Sequence, residues 1–325
     1  MEPPFAAIPL LLTVYLLFFL FLGVEGSVFT FVNKCGETVW PGILSNAGSP
    51  QLESTGFELP VASSRSFQAP TGWSGRFWAR TGCSDSAVGG GGGGGAWSCA
   101  TGDCGSGQVE CNGAGAAPPA TLAEFTLAPS SAGRDFYDVS LVDGYNLPMV
   151  VEASAGVCAA TGCVVDLNRM CPAELRAAEG EACRSACEAF GTPEYCCSGA
   201  FASPATCQPS AYSQMFKAAC PKSYSYAFDD PTSTFTCAGG ADYTITFCPE
   251  SAPSQKASTD AYRSSTPYTT ATSTPAATGG LMLEDESWLA SMATGDANTA
   301  RRAGPFLHQS VFIVATTMAC TLLVQ

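Results

Sequence analysis

Cysteine is the residue type whose number and spacing say most about the chemistry of this sequence. Of its 17 cysteines, 16 lie between Cys35 and Cys248, and the last, Cys320, lies in an apolar segment near the C-terminus. An even set behind an apolar N-terminal segment is typical of the disulfide framework of a secreted protein. Spacing alone leaves the pairing open. We therefore expect an oxidising compartment and a domain stabilised by disulfides.

Histidine and net charge exclude several classes of function. The only histidine is His308, and the formal net charge is −14. Because we expect His308 to be lost with a C-terminal signal, the mature protein would have no imidazole for a Ser-His-Asp triad, a Cys-His pair or a zinc site. The acidic charge argues against binding to nucleic acid. We expect no cofactor and no metal ion, and the remaining chemistry belongs to carboxylates, hydroxyls, amides and aromatic rings.

Short alternating segments predict that β-strands position these groups. Residues 28–33 alternate with period two, and β-branched and aromatic residues favour a strand there. Similar strands are predicted at 64–69, 75–80, 123–127, 136–141 and 243–247. Many short strands separated by Gly and Pro turns indicate a mainly β protein, either a β-sandwich or a flattened barrel.

The middle of the sequence is cysteine-rich and has a different pattern. Helical segments are predicted at 173–178, 181–190 and 211–219. Cys183 and Cys187 are four residues apart, so they would share one helix face. We expect a loop-and-helix subdomain, held by disulfides, beside the β core.

Two segments have the composition of linkers. Gly89–Gly95 is a run of seven glycines without the Lys-Ser/Thr of a phosphate-binding loop, which indicates a flexible loop. Residues 250–298 are rich in Ser, Thr, Ala and Pro, which is typical of an extended, O-glycosylated stalk and makes the chain a candidate glycoprotein.

Both ends of the chain carry the patterns of targeting signals. Residues 1–26 have the apolar run and small residues of a signal peptide, the alternative being a retained membrane anchor. Residues 299–325 follow the order of a GPI attachment signal, with small residues, a polar spacer and an apolar end. A single-pass membrane protein is the alternative. The expected attachment residue is Asn298, with near competitors at Ser291, Gly295, Asp296 and Ala297.

Short sequence motifs between these signals resemble those of the thaumatin-like proteins of plants, the pathogenesis-related group 5 family. They are FWARTGC (77–83), CATGDC (99–104), PPATLAEFTL (118–127), DFYDVSLVDGYNLPM (135–149), EYCC (194–197) and ITFCP (245–249). The resemblance covers 27–249 and includes all 16 cysteines of that region. It implies a flattened β-sandwich core, a disulfide-rich loop and helix subdomain and a small looped subdomain.

The resemblance also implies the disulfide pairing. The expected pairs are Cys35–Cys248, Cys83–Cys99, Cys104–Cys111, Cys158–Cys237, Cys163–Cys220, Cys171–Cys183, Cys187–Cys196 and Cys197–Cys207.

Family members carry an acidic cleft lined by an arginine, a glutamate and three aspartates. By resemblance, the matching acids are Glu124, Asp135, Asp138 and Asp229, with Asp230 as an alternative to Asp229. A regular strand would place Asp135 and Asp138 on opposite faces, so both reach one cleft only if Asp135 lies at a turn. The arginine is expected before Pro118, where the chain has Ala117, so the cleft would lack its cation. Tyr145, after an Asp-Gly turn, is the expected surface aromatic for sugar stacking.

These features predict a secreted, monomeric defence protein on the outer face of the plasma membrane. It would bind β-1,3-glucan or a related wall polysaccharide through the cleft, and an antifungal role would follow. One alternative is a weak endo-β-1,3-glucanase with Glu124 and Asp138 as the catalytic pair, because paired carboxylates can hydrolyse a glycosidic bond. Others are a membrane-permeabilising antifungal protein and a signalling or structural module whose cleft has lost its function.

Overall fold

A computed structural model describes residues 26–85, 97–154 and 158–250. The glycine run, most of the expected leader and stalk, and the expected GPI signal with Asn298 lie outside the described residues. Within the described ranges, no helix is both long and apolar enough to cross a membrane.

Two five-stranded sheets form the centre of the domain. The first has the order β10-β9-β14-β1-β3 and the second has the order β13-β8-β7-β4-β2. The strands of the first sheet are β1 (Gly26–Asn33), β3 (Ser64–Pro70), β9 (Met149–Ala153), β10 (Thr161–Cys163) and β14 (Tyr243–Phe247). Those of the second are β2 (Trp40–Ser45), β4 (Ser74–Arg80), β7 (Leu122–Thr126), β8 (Arg134–Ser140) and β13 (Phe235–Ala238). Two short ribbons pair β5 (Ser84–Asp85) with β6 (Trp97–Ser98), and β11 (Arg176–Ala177) with β12 (Ala182–Cys183).

Aromatic side chains from both sheets share one core. Burial alternates along β1, so Phe29 and Phe31 point inward. The ring centroid of Phe29 lies 4.8 Å from that of Phe77 on β4 and 4.7 Å from that of Phe125 on β7. This contact makes the two sheets a sandwich, and the prediction of a mainly β protein with a sandwich core is confirmed.

All six predicted strands lie within two residues of the observed ones. The strands β2, β9, β10 and β13 of the large sheets, and the four short strands of the ribbons, were not predicted. The Pro-Gly pair in β2 concealed that strand. A proline is tolerated there because β2 is the last strand of its sheet, followed only by isolated bridges with the segment around residues 56–59. The carbonyl oxygen of Pro41 still accepts a hydrogen bond of 3.2 Å from the N–H of Phe57.

The helical part is more broken than the sequence pattern suggests. It contains α1 (Ala186–Phe190), α2 (Pro193–Cys196), α3 (Ala211–Ala219) and α4 (Asp230–Ser233), with 3₁₀ turns at Leu167–Met170, Ala173–Leu175, Ala178–Gly180 and Gly199–Phe201. The prediction of a continuous helix over 181–190 is wrong. Cys183 lies in β12, where it pairs with Arg176, so Cys183 and Cys187 do not share a helix face.

Eight disulfides join the elements, and they are the same eight pairs that the resemblance implies. Cys35–Cys248 closes the longest loop, with a sequence separation of 213 residues. It reinforces the parallel pairing of β1 with β14, which brings the first and last strands of the domain together. Cys187–Cys196 closes a separation of only 9 residues.

Removing these two disulfides should have unequal effects on stability. In the chain-entropy model, replacing Cys35 and Cys248 by alanine costs about 5 kcal/mol of the free energy of unfolding. Replacing Cys187 and Cys196 by alanine costs about 2.5 kcal/mol and serves as the matched control. Urea denaturation followed by tryptophan fluorescence measures both changes. Equal losses in the two variants would contradict the dependence on loop length.

Candidate functional site

A row of charged side chains crosses three neighbouring strands of the second sheet. Arg76 on β4 pairs with Glu124 on β7, and Glu124 pairs with Asp138 on β8. Their chain neighbours Phe77, Phe125 and Tyr137 point into the sandwich core. Because successive side chains of a strand point to opposite faces, the three charged residues lie together on the outer face.

The two carboxylates of this row are buried although they lie outside the sandwich core. Glu124 is 3% exposed and Asp138 is 6% exposed. Arg76 Nε lies 3.7 Å from Glu124 Oε1, which makes an ion pair but is too long for a hydrogen bond. Within the described residues, four buried polar atoms of this face have no hydrogen-bond partner: Arg76 Nε, Glu124 Oε1, Asp138 Oδ1 and Thr126 Oγ1. Buried polar atoms are normally bonded, so these four atoms call for partners such as ordered water or the polar groups of a ligand.

Two further acids interact with the row. Asp143 lies in a turn with Gly144. The φ of Gly144 is 85°, and a Cβ atom at this position would clash with Pro119 and with the carbonyl oxygen of Cys183, so the turn requires glycine. Asp230 opens α4, and its Oδ1 accepts a hydrogen bond of 2.8 Å from the hydroxyl of Tyr224. The backbone of Tyr224 forms a parallel bridge with Ser140, the last residue of β8. We call Glu124, Asp138, Asp143 and Asp230, together with Arg76, the acid cluster.

Burial and mutual repulsion alter the titration of the cluster. Burial raises the pKa of Glu124 to about 7, Arg76 opposes the shift and Asp143 adds to it. Burial raises the pKa of Asp138 well above its usual range, with further increases from Glu124 and Asp230 and an opposing effect of Arg76. Burial also raises the pKa of Asp143, against Arg76. At mildly acidic pH the cluster therefore holds protons that it can donate, beside oxygen atoms that accept.

Asp135 does not belong to this cluster, which corrects the sequence expectation. It lies three residues before Asp138 on a regular strand and so points to the opposite face, as the period of a strand requires. Its carboxylate accepts hydrogen bonds of 2.8 Å from the backbone N–H of Ala128 and from the hydroxyl of Tyr243. Asp135 thus links strands of the two sheets inside the core.

Tyr145 and Asp229 also have other positions than expected. Tyr145 is completely buried, and its hydroxyl donates to the carbonyl oxygen of Val165 at 2.9 Å, so it is not a surface aromatic. Asp229 Oδ2 lies 3.0 Å from Lys217 Nζ and accepts two hydrogen bonds from Ser225, each of 2.9 Å. Through these contacts Asp229 anchors the segment that places its neighbour Asp230 near Asp138.

The expectation that the site lacks an arginine is wrong. Ala117 lies in another part of the domain, where its N–H donates a hydrogen bond of 2.7 Å to the carbonyl oxygen of Asp103. Arg76 supplies the cation instead. The signal was present in the sequence, because the side-chain period of a strand at 75–80 places Arg76 on the face opposite Phe77. Asp143 was missed because an Asp-Gly pair indicates a turn first and a site only once the fold is known.

Comparisons with known proteins find similar sequences along the described domain. The model of the thaumatin family matches residues 33–249. Thaumatin-like protein 1 of Arabidopsis thaliana is 65% identical over 235 residues, covering 70% of this chain and 88% of that protein. Pathogenesis-related thaumatin-like protein 3.5 of Cryptomeria japonica is 56% identical, covering 69% and 91%. A protein of Prunus avium named glucan endo-1,3-beta-glucosidase is 52% identical, covering 70% and 93%.

The raised pKa of Glu124 predicts a specific pH dependence of stability. An unfolded glutamate ionises near pH 4.5, whereas folded Glu124 keeps its proton to about pH 7. Between these values the folded protein binds more protons, so this contribution to stability is complete at acidic pH and is lost as the pH rises towards 7.

Glu124→Gln should therefore become more stable relative to the wild type as the pH rises from 4.5 to 7, by up to about 1.4 kcal/mol per pH unit. Urea denaturation at several pH values measures this difference. Glu152→Gln, which removes an exposed carboxylate from β9 of the other sheet, controls for the loss of one charge. A difference between wild type and Glu124→Gln that stays constant with pH would contradict the prediction.

Proposed function

This chain belongs to the thaumatin family, and on that premise we propose that it is a defence protein that binds β-1,3-glucan or a related wall polysaccharide at the acid cluster. The observation that carries the proposal is the set of four buried polar atoms without partners on one sheet face. Leaving such atoms unbonded costs about 1–3 kcal/mol each, so a ligand that bonds to them gains affinity.

A sugar fits the chemistry of this face. Every sugar hydroxyl can both donate and accept a hydrogen bond, and the cluster offers protonated carboxyls, carboxylate oxygens, the Arg76 guanidinium and the Thr126 hydroxyl. A neutral ligand also avoids the repulsion that an anion would meet among four acids. Because Arg76 provides a cation, the alternative of a cleft that has lost its function has less support.

Hydrolysis of the glucan is the second candidate function. Side chains directly opposed on antiparallel strands have Cβ atoms about 4.5–5.5 Å apart, and retaining glycosidases hold their two carboxyl groups about 5–5.5 Å apart. Glu124 and Asp138 are opposed in this way. The raised pKa values would let one of them donate its proton to the leaving oxygen as general acid, while the other, ionised, forms the glycosyl-enzyme bond that water then hydrolyses. The name of the Prunus avium relative agrees with this chemistry. New reducing ends from soluble β-1,3-glucan, absent with Glu124→Gln, would identify the enzyme.

Binding is tested by retention on insoluble β-1,3-glucan, with cellulose and chitin as comparison matrices. The wild-type full-length protein should be retained on the glucan. The double variant Glu124→Gln, Asp138→Asn should lose at least about tenfold in affinity, because it replaces one oxygen of each carboxyl group by an amide NH2 that cannot accept a hydrogen bond, while keeping the side-chain shapes. Glu152→Gln is the matched control. Equal retention of all three proteins would place any glucan site elsewhere, and no retention of the wild type would contradict the proposal.

We propose that the protein is held on the outer face of the plasma membrane by a GPI anchor at Asn298, after removal of a signal peptide. The support is the order of small residues, polar spacer and apolar end after 298, which lies beyond the family match at 33–249. A monomer suits a site built from one chain.

Phosphatidylinositol-specific phospholipase C should release the protein from the surface of intact cells. Val314→Arg, which interrupts the apolar end, should prevent anchoring and leave the protein inside the cell or in the medium. Thr316→Ser is the control at a neighbouring position. Membrane retention that resists the phospholipase would favour a membrane-spanning segment instead.

A further inference from the structure

Three aromatic side chains meet at the surface of the helical part, away from the acid cluster's own strands. They are Phe190 on α1, Tyr195 on α2 and Tyr212 on α3, and we call them the aromatic patch. The ring centroid of Phe190 lies 5.5 Å from that of Tyr195 and 5.4 Å from that of Tyr212, and the two tyrosine rings are 6.1 Å apart. The rings are tilted against each other by 40° to 74°, so they offer ring faces in more than one direction.

Exposure separates this group from the aromatic core. Phe190 is 40% exposed, and among the described residues it is the only aromatic side chain in the set of exposed large apolar residues, the others being Val61, Val165 and Met170. Tyr195 and Tyr212 are partly exposed. A single exposed apolar side chain is ordinary, but three adjoining aromatic rings at the surface indicate a contact site.

Two disulfides and packing against an apolar core restrain the patch. Cys187 on α1 is bonded to Cys196 on α2, which fixes the helices that carry Phe190 and Tyr195. Cys197–Cys207 restrains the chain that leads from α2 towards α3. Tyr212 packs against the second apolar core, formed around Leu167, Leu175 and Phe216. Ligand binding would therefore cost little conformational entropy.

Polar groups border the rings. The hydroxyl of Tyr212 donates a hydrogen bond of 2.9 Å to Glu174 Oε1, and Glu174 is exposed. The carboxylate keeps acceptor capacity for a ligand hydroxyl beside the ring. Aromatic faces next to a carboxylate suit a molecule with apolar C–H faces and a rim of hydroxyls, which describes a pyranose ring.

We infer that the aromatic patch is a second sugar-binding surface that takes pyranose units of a neutral polysaccharide. None of its rings belongs to the acid cluster, although Glu188 on the helix of Phe190 interacts with Asp143 of that cluster. The patch shares with the proposed function only the class of ligand. A neutral polysaccharide is favoured over an anionic one, because the chain carries a net charge of −14. A protein partner fits less well, since three partly buried rings of about 150–250 Å² each offer much less than the roughly 800 Å² per partner of a standard interface.

Affinity electrophoresis of the full-length protein tests the inference, in gels that contain soluble β-1,3-glucan, hydroxyethyl cellulose or xylan. At least one polysaccharide should retard the wild type. Phe190→Leu keeps an apolar side chain but removes the ring, and should weaken that binding about tenfold. Phe190→Tyr should retain it. Met170→Ala, which trims a side chain that is 48% exposed outside the patch, is the matched control.

The Glu124→Gln, Asp138→Asn variant separates this site from the acid cluster. If the patch binds sugar, Phe190→Leu in that background should reduce the remaining retardation further. If Phe190→Leu migrates as the wild type does in every gel, the inference is wrong, whatever the cluster does. It is also wrong if sedimentation shows a dimer that Phe190→Leu dissociates, because the patch would then be covered by a second copy. Near-UV circular dichroism of each variant verifies that the fold is unchanged.

Discussion

The packing of Phe29 against Phe77 and Phe125 is the contact from which the position of the acid cluster follows. It commits one face of the second sheet to the sandwich core. With a side-chain period of two, every residue beside a core residue must then point outward. Arg76, Glu124 and Asp138 are such neighbours, and the antiparallel register aligns them in one row. The packing of the core therefore fixes the positions of three charged side chains that are not part of the core.

The helical part completes the site through hydrogen bonds that one lysine makes. Lys217 on α3 bonds to the carbonyl oxygen of Ser223, the hydroxyl of Ser233 and the carboxylate of Asp229. These bonds hold the segment that brings Tyr224 beside β8 and Asp230 towards Asp138. One cation therefore fixes the position of an acid that it does not neutralise, and the repulsion among the carboxylates remains available to keep protons bound.

The sequence predicted the strands better than the site. Alternation through Glu124 and Asp138 was enough to give β7 and β8, and resemblance was enough to give the disulfide pairs. The distinction between Asp229 and Asp230 could not be predicted, because it depends on which carboxylate reaches Lys217. Tyr145 follows a turn, which favours exposure, yet the pairing of its backbone with Cys183 buries it in the second core. Arg76 was within reach of sequence reasoning, since only the period of β4 was needed to find it.

The parallel pairing of β1 with β14 has a mechanical consequence. Residue 249 follows Cys248, which is bonded covalently to Cys35, two residues after the end of β1. A force applied through the chain beyond 249 enters β14 along the backbone and β1 through the disulfide. The load is shared by two adjacent strands in the interior of a five-stranded sheet. Pulling on the C-terminal segment would therefore have to shear the sheet rather than peel away a single strand.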